Sequence, residues 1–96
     1  MPAYLIAEIE VTDPAAYEGY RKLTRAAIAA YGGRFIVRGG EVDSKEGGWK
    51  PARLVVVEFA SMEQARKFYD SPEYAPALAI RKAASRSRLV LVEGVA

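Results

Sequence analysis

Residues 3–11, AYLIAEIEV, alternate with period two. Ala3, Leu5, Ala7, Ile9 and Val11 share one face, and Tyr4, Ile6, Glu8 and Glu10 share the other. That alternation predicts a strand. The period then lengthens. Asp13-Pro14 offers an acidic N-cap with proline at the first helical position. After it Tyr17, Tyr20, Thr24, Ala27, Ile28 and Tyr31 recur at intervals of three and four, one stripe of a helix. Gly32-Gly33 predicts the helix end.

Arg34 to Arg38 reads as a second strand, with Gly39-Gly40 a bend or bulge before Glu41 and Val42. SKEGGWKP, at 44–51, is a polar, glycine-rich loop carrying the one tryptophan. RLVVVEF, at 53–59, is β-branched and too short for a helix, so it reads as a buried central strand. Ser61 with Gln64 fits a capping box and opens a short helix to about Tyr69. Ser71-Pro72 repeats the start signal, although Pro76 roughens the beginning of a helix that runs to about Ala84. Ser87 to Glu93 completes the set as a strand.

The order strand-helix-strand-strand-helix-strand predicts an α+β fold of the ferredoxin-like βαββαβ kind. It is a four-stranded antiparallel sheet with helices on one face, forming a single domain over residues 1–96. Alternation sends Leu5, Ala7, Ile9, Phe35, Val37, Val55, Val57 and Phe59 toward the helices. It leaves Tyr4, Ile6, Glu8, Arg34, Ile36, Arg38, Leu54, Val56 and Glu58 on the open face. Such an apolar face implies a partner, and a second copy packed sheet to sheet would cover it as a homodimer.

Composition narrows the chemistry. The 96 residues include no cysteine and no histidine, and inspection finds no asparagine. Thiolate catalysis, zinc-thiolate sites and the usual histidine base or haem ligand are therefore closed, and so is an acylphosphatase, which needs an asparagine. Net charge is +2 with both signs interspersed, which argues against nucleic acid or a membrane surface as partner. The local cluster Arg81, Lys82, Arg86 and Arg88 reads as a solvated helix end suited to the negative pole of the helix dipole. An RNA-recognition module would need exposed aromatics in its third strand, whereas this one offers only Phe59, on the helix side. MPAYLIAEIE has no basic segment followed by a long apolar run, so the expectation is a cytoplasmic chain.

The candidate chemistry is carried by carboxylates. With the first and third strands taken as adjacent and parallel, Glu8 and Glu58 stand side by side on the open face, where they would share a proton, and Arg38 reaches them. The three form either an acid/base group for an anionic or enolate-like substrate, or an ion-pair cluster fixing the register of a dimer. Tyr17, Tyr20, Phe68, Tyr69 and Tyr74 point toward the sheet, as core or as the lining of a pocket; Tyr69 or Tyr74 could then act as a phenolic donor. Trp49 is a lid or an anchor in a partner subunit.

The stretches MPAYLIAEIEVTDPAAYEGY, YGGRFIVRGG, EGGWKPARLVVVEF, FYDSPEY and LVEG together resemble the bacterial domain-of-unknown-function 1330 family. That family falls in the dimeric α+β barrel superfamily. The resemblance implies two sheets facing each other across a dimer. It also brings a range of activities: cofactor-free monooxygenases, lactone isomerases, haem enzymes and proteins with no known reaction. The family's recurrent polar positions stand here as Arg38, Glu46, Arg53, Glu58, Ser71 and Tyr74. The expected function is that of a homodimer acting without cofactor or metal on a small organic molecule, through Glu8, Glu58 and Arg38. Tyr69, Tyr74, Arg53 and Trp49 would be at the substrate. The alternative is a non-catalytic ligand-binding or structural dimer.

Overall fold

The computed structural model describes residues 1–95. The elements are β1 (Ala3–Val11), α1 (Pro14–Ala30), β2 (Arg34–Arg38), β3 (Leu54–Phe59), α2 (Met62–Tyr69), α3 (Ala75–Ala84) and β4 (Ser85–Glu93). The strands form one sheet in the order β2-β3-β1-β4, with every neighbouring pair antiparallel. The expected α+β, ferredoxin-like architecture is thus the observed one. No helix among the described residues is long and apolar enough to cross a membrane.

Local chemistry explains the boundaries. The Asp13 carboxylate accepts a hydrogen bond from the Ala16 N–H, and α1 ends at Gly32, whose φ is 72°. The Ser61 hydroxyl accepts from the Gln64 N–H to start α2. At Ser71 the hydroxyl accepts from the Tyr74 N–H and donates to the Phe68 carbonyl, so it joins α2 to the turn that precedes α3. β4 begins two residues earlier than the pattern suggests, because Ser85 and Ser87 occupy helix-facing positions where apolar residues were sought.

The core lies between the helices and one face of the sheet. Leu5, Ala7, Ile9, Val55, Val57 and Phe59 come from the strands and Tyr17, Tyr20, Ile28, Phe68, Tyr74 and Ala77 from the helical segments, all buried. Phe68 is fully enclosed, its ring 5.2 Å from Phe59 and 4.5 Å from Tyr74.

Two register details alter the expected faces. β1 and β3 run antiparallel, with Tyr4 opposite Glu58 and Glu8 opposite Leu54. Glu8 and Glu58 therefore share the open face but lie at opposite ends of the strand pair, roughly 13 Å apart at about 3.3 Å per residue. The side-by-side carboxylate pair does not exist. The second detail is a bulge in β2 between Phe35 and Val37. It is not at Gly39-Gly40. Phe35 faces Val57, Val37 faces Val56 and Arg38 faces Val55, so the extra residue, Ile36, inverts the alternation. Val37 moves to the open face, and Arg38 moves to the helix side.

Arg81 departs from expectation too. It is only 4% exposed rather than a solvated cation, while Arg86 and Arg88 sit on β4 and pair with Glu10 and Glu8 on the open face.

Candidate functional site: a slot between α1 and the sheet

The parts of the site come from four elements. The apolar stripe of α1 carries Tyr17, Tyr20, Thr24 and Ile28, with Arg21 beside it, over the inner face of β1 and β3, where Leu5, Ala7, Ile9, Val55 and Val57 project. Because α1 does not close fully on the sheet, a slot remains between them, floored by Phe68 and Tyr74. Its empty space, mouth included, is about 450 Å3, while the cavity volume open to a water-sized body is about 30 Å3. It is narrow and suits something flat.

Arginines gather at the mouth. Arg38 closes β2, Arg53 directly precedes β3, and Arg21 projects from α1. The Arg38 guanidinium stacks over the Phe35 ring, 4.3 Å from its centre. Gly39 passes so near Arg53 that a Cβ there would collide with the guanidinium and displace it. Its φ of 69° lies in the left-handed region that favours glycine. Partial desolvation, then the charges of Arg25, Arg21 and Arg53, push the pKa of Arg38 below the usual arginine range, although arginine stays charged. Among the described residues neither Arg38 nor Arg53 has a carboxylate within salt-bridge distance, and Arg21 has only the solvent-exposed Glu18, at 3.4 Å. Like charges crowded without a counter-ion are unfavourable in the empty protein.

The interior supplies hydroxyls. Tyr20 and Tyr74 meet at 3.2 Å, and Arg81 Nε donates to the Tyr74 oxygen at 3.3 Å. Arginine has no acceptor, so Tyr74 accepts from Arg81, and either phenol can donate in the bond between Tyr20 and Tyr74. In the arrangement where Tyr74 donates, the Tyr20 O–H is free to donate toward the slot. Arg81 also donates to the Ser87 hydroxyl and lies in the last turn of α3, near the negative end of its dipole. Burial raises the pKa of Tyr17 and, more strongly, that of Tyr74, so both phenols stay protonated near neutral pH and act as donors rather than bases. Two atoms stand out as orphans. Thr24 Oγ1 and Arg53 Nε are buried without any hydrogen-bond partner, and both residues line the slot. Thr24 is 5% exposed.

The glutamates belong to a different surface. Glu8 accepts from Arg88 Nε at 2.8 Å and from the Trp49 indole N–H at 2.8 Å. Glu58 accepts from Arg34 Nε at 2.7 Å and from the Tyr4 hydroxyl at 3.3 Å. Gly47 and Gly48, both at positive φ, turn the 39–53 loop so that Trp49 reaches Glu8. The Trp49 hydrogen bond first, and Arg88 second, hold the Glu8 carboxyl below the usual carboxylate range. A depressed folded-state pKa stabilises the fold above the unfolded value, and the benefit is lost as pH falls through the folded one. NMR titration of Glu8 is expected to give a midpoint below the ordinary carboxylate range, rising toward it in Trp49→Phe. A midpoint above that range would mean that neither Trp49 nor Arg88 governs the carboxyl.

Comparison with known proteins bears on this geometry. A family model described as "Domain of unknown function (DUF1330)" matches residues 2–95. The chain belongs to the DUF1330 family. No match was found among curated protein sequences. Several solved structures share the fold of this DUF1330 chain at low identity. A protein of unknown function from Rhodopseudomonas palustris is 17% identical with a TM-score of 0.77, the match covering 99% of this chain and 83% of that one. A dimeric ferredoxin-like protein of unknown function from Jannaschia sp. CCS1 is 12% identical with a TM-score of 0.78, covering 98% and 100%. SnoaB, a cofactor-independent oxygenase from Streptomyces nogalater, is 18% identical with a TM-score of 0.69, covering 99% and 94%.

Of the residues singled out from sequence, the DUF1330 fold brings Arg38, Arg53 and Tyr74 together at the slot. Glu8, Glu58 and Trp49 lie on the open face, and Tyr69 sits behind the slot with its ring 5.8 Å from Tyr74. Among the described residues no cluster of three or more carboxylates could hold a metal ion. Arg21, Thr24 and Arg81 were not among the candidates, and Tyr20 was read only as core or as the lining of a pocket. Thr24 was detectable as the one polar member of the apolar stripe of α1. Nothing local in the sequence marks Arg81 as buried.

Proposed function

We propose that this DUF1330 protein is a homodimer, joined through the open faces of two sheets, that binds a small organic molecule in the slot between α1 and the sheet. One observation carries the binding role: an apolar, narrow cleft lined by two buried polar atoms, Thr24 Oγ1 and Arg53 Nε, that lack partners among the described residues. A slot serving only as packing would have its polar atoms satisfied or replaced by apolar ones. Arg38 and Arg53 hold the ligand at the mouth, and Tyr20, Tyr74 and Thr24 meet its inner end. Tyr69 supports the ring of Tyr74.

The dimer is supported by the exposed Ile36, Val37, Val90 and Val92 on the open face, and by the dimeric state named for the Jannaschia protein. Glu8 with Arg88, and Glu58 with Arg34, then fix the register at opposite ends of that interface, with Trp49 as an anchor beside Glu8. This is the ion-pair alternative for the glutamates. Carboxylate acid/base chemistry finds no carboxylate in the slot.

A second reading, a cofactor-independent enzyme using the same slot, draws support from the fold shared with SnoaB. Here the protein would stabilise negative charge developing on the substrate, through the guanidinium groups and the Tyr20 O–H.

Methyl NMR with one-ring organic compounds, charged and neutral, tests the site. Saturable shifts are expected at Leu5, Ile28, Val55 and Val57. Shifts confined to Val90 and Val92, or no saturable response to any compound, overturn the proposal. A bound compound recovered unchanged identifies a binder. A new product mass, lost in Tyr20→Phe with binding retained, identifies an enzyme.

A further inference from the structure

We infer that the ligand is a small planar carboxylic acid, bound as its anion, whose far end carries a hydroxyl or carbonyl oxygen. The inference rests on the slot being the binding site and adds the class of molecule that it takes.

Charge sets one end. Arg38 and Arg53 face the same mouth from the end of β2 and the start of β3, and no carboxylate of the described chain neutralises either. Arg53 Nε is buried with an unused donor. Guanidinium groups bind carboxylates through paired N–H donors, and a partly desolvated pair of them rewards an anion far more than a neutral dipole. The slot contains no acidic side chain, so an ammonium-bearing ligand gains nothing there.

Shape sets the middle. Leu5, Ala7, Ile9, Val55 and Val57 on one side and Ile28 on the other leave a narrow apolar gap, which must widen before a ring or a short unsaturated chain enters edge-on. The rim guanidinium groups must swing outward to admit it. Arg38 can do so, because it is exposed, forms no salt bridge among the described residues and is held by its stack on the Phe35 ring.

Hydroxyl chemistry sets the other end. Thr24 lies one turn beyond Tyr20 on the same side of α1, and its oxygen is buried and unpartnered. In the arrangement where Tyr74 accepts from Arg81 and donates to Tyr20, the Tyr20 O–H is free for a ligand oxygen. A ligand oxygen placed between them accepts from Tyr20 and engages Thr24 Oγ1, which satisfies both at once. A purely hydrocarbon end would leave Thr24 as it is in the empty protein.

The test uses 4-hydroxybenzoate as probe, with benzoate and 4-hydroxybenzamide as controls, in calorimetry and methyl NMR at moderate salt. The acid is expected to bind at least tenfold more tightly than the amide. The double variant Arg38→Gln, Arg53→Gln is expected to remove that preference while the amide still shifts the slot methyls, which also shows the variant folded. In Thr24→Val the advantage of 4-hydroxybenzoate over benzoate is expected to fall several-fold. If the amide binds as well as the acid, or the arginine variant keeps the preference, the slot stands and the acid class falls. Equal binding of benzoate and 4-hydroxybenzoate to the unmodified protein overturns the far-end oxygen. If none of the three shifts the slot methyls, this inference and the binding site fall together.

Discussion

Val90→Asp is expected to leave the protein as a monomer of 10.5 kDa, and the unaltered chain is expected to sediment at twice that mass. Val90 is 57% exposed on β4, so an isolated chain has little reason to respond to the change. Its cross-strand neighbour is Ile6, which in turn lies opposite Val56, and Val56 lies opposite Val37. These four span the sheet from edge to edge and would form the centre of a face-to-face interface. A carboxylate placed there loses its hydration without gaining a partner, and two-fold symmetry places a second one in the same interface. Analytical ultracentrifugation reads the outcome. An unaltered chain that is monomeric at micromolar concentration, or a variant that remains dimeric, would remove the sheet face as the interface. Unchanged circular dichroism in the variant separates lost assembly from lost folding.

Phe68→Ala is expected to cost about 3–5 kcal/mol, the usual range for deleting a fully enclosed phenylalanine. Total stabilities of domains this size are roughly 5–15 kcal/mol, so urea denaturation should show a collapse of the midpoint. Phe68 is 0% exposed and contacts Phe59 of β3, Tyr74 before α3 and the edge of Tyr31 after α1. It is where the two halves of the helical layer meet the sheet, so no single neighbour can move to fill the hole. A loss under 1 kcal/mol would mean that the helical layer repacks freely and that the slot above it has no fixed floor.

The fold was legible because its signals are local. A nine-residue alternation marks β1, Asp13-Pro14 and Gly32 bracket α1, and Ser61 opens α2, each through contacts within a few residues. The open face was legible from the same alternation, except on β2. There a bulge depends on how an edge strand pairs with β3, and the five residues RFIVR carry no glycine to announce it. The glutamate pair failed for a different reason. In antiparallel neighbours, equal offsets from the two strand starts place residues at opposite ends, so the sheet order alone separates Glu8 from Glu58. Arg81 was misread because its burial is decided by Tyr74 and Ser87, contributed from the turn before α3 and from β4. Arg38 and Arg53 were chosen as residues and placed in the wrong company, since they meet each other and Arg21 rather than the carboxylates.

The unpaired residue in β2 has a consequence for chain length. Removing Ile36 alone would restore simple alternation without moving its neighbours across the sheet, because Val37 would stay opposite Val56 and Arg38 opposite Val55. A chain of 95 residues would then keep both guanidinium groups at the slot mouth and lose only an exposed apolar side chain. A deletion in a regularly alternating strand inverts every side chain beyond it, whereas here it is absorbed where β2 already carries one residue more than its partner.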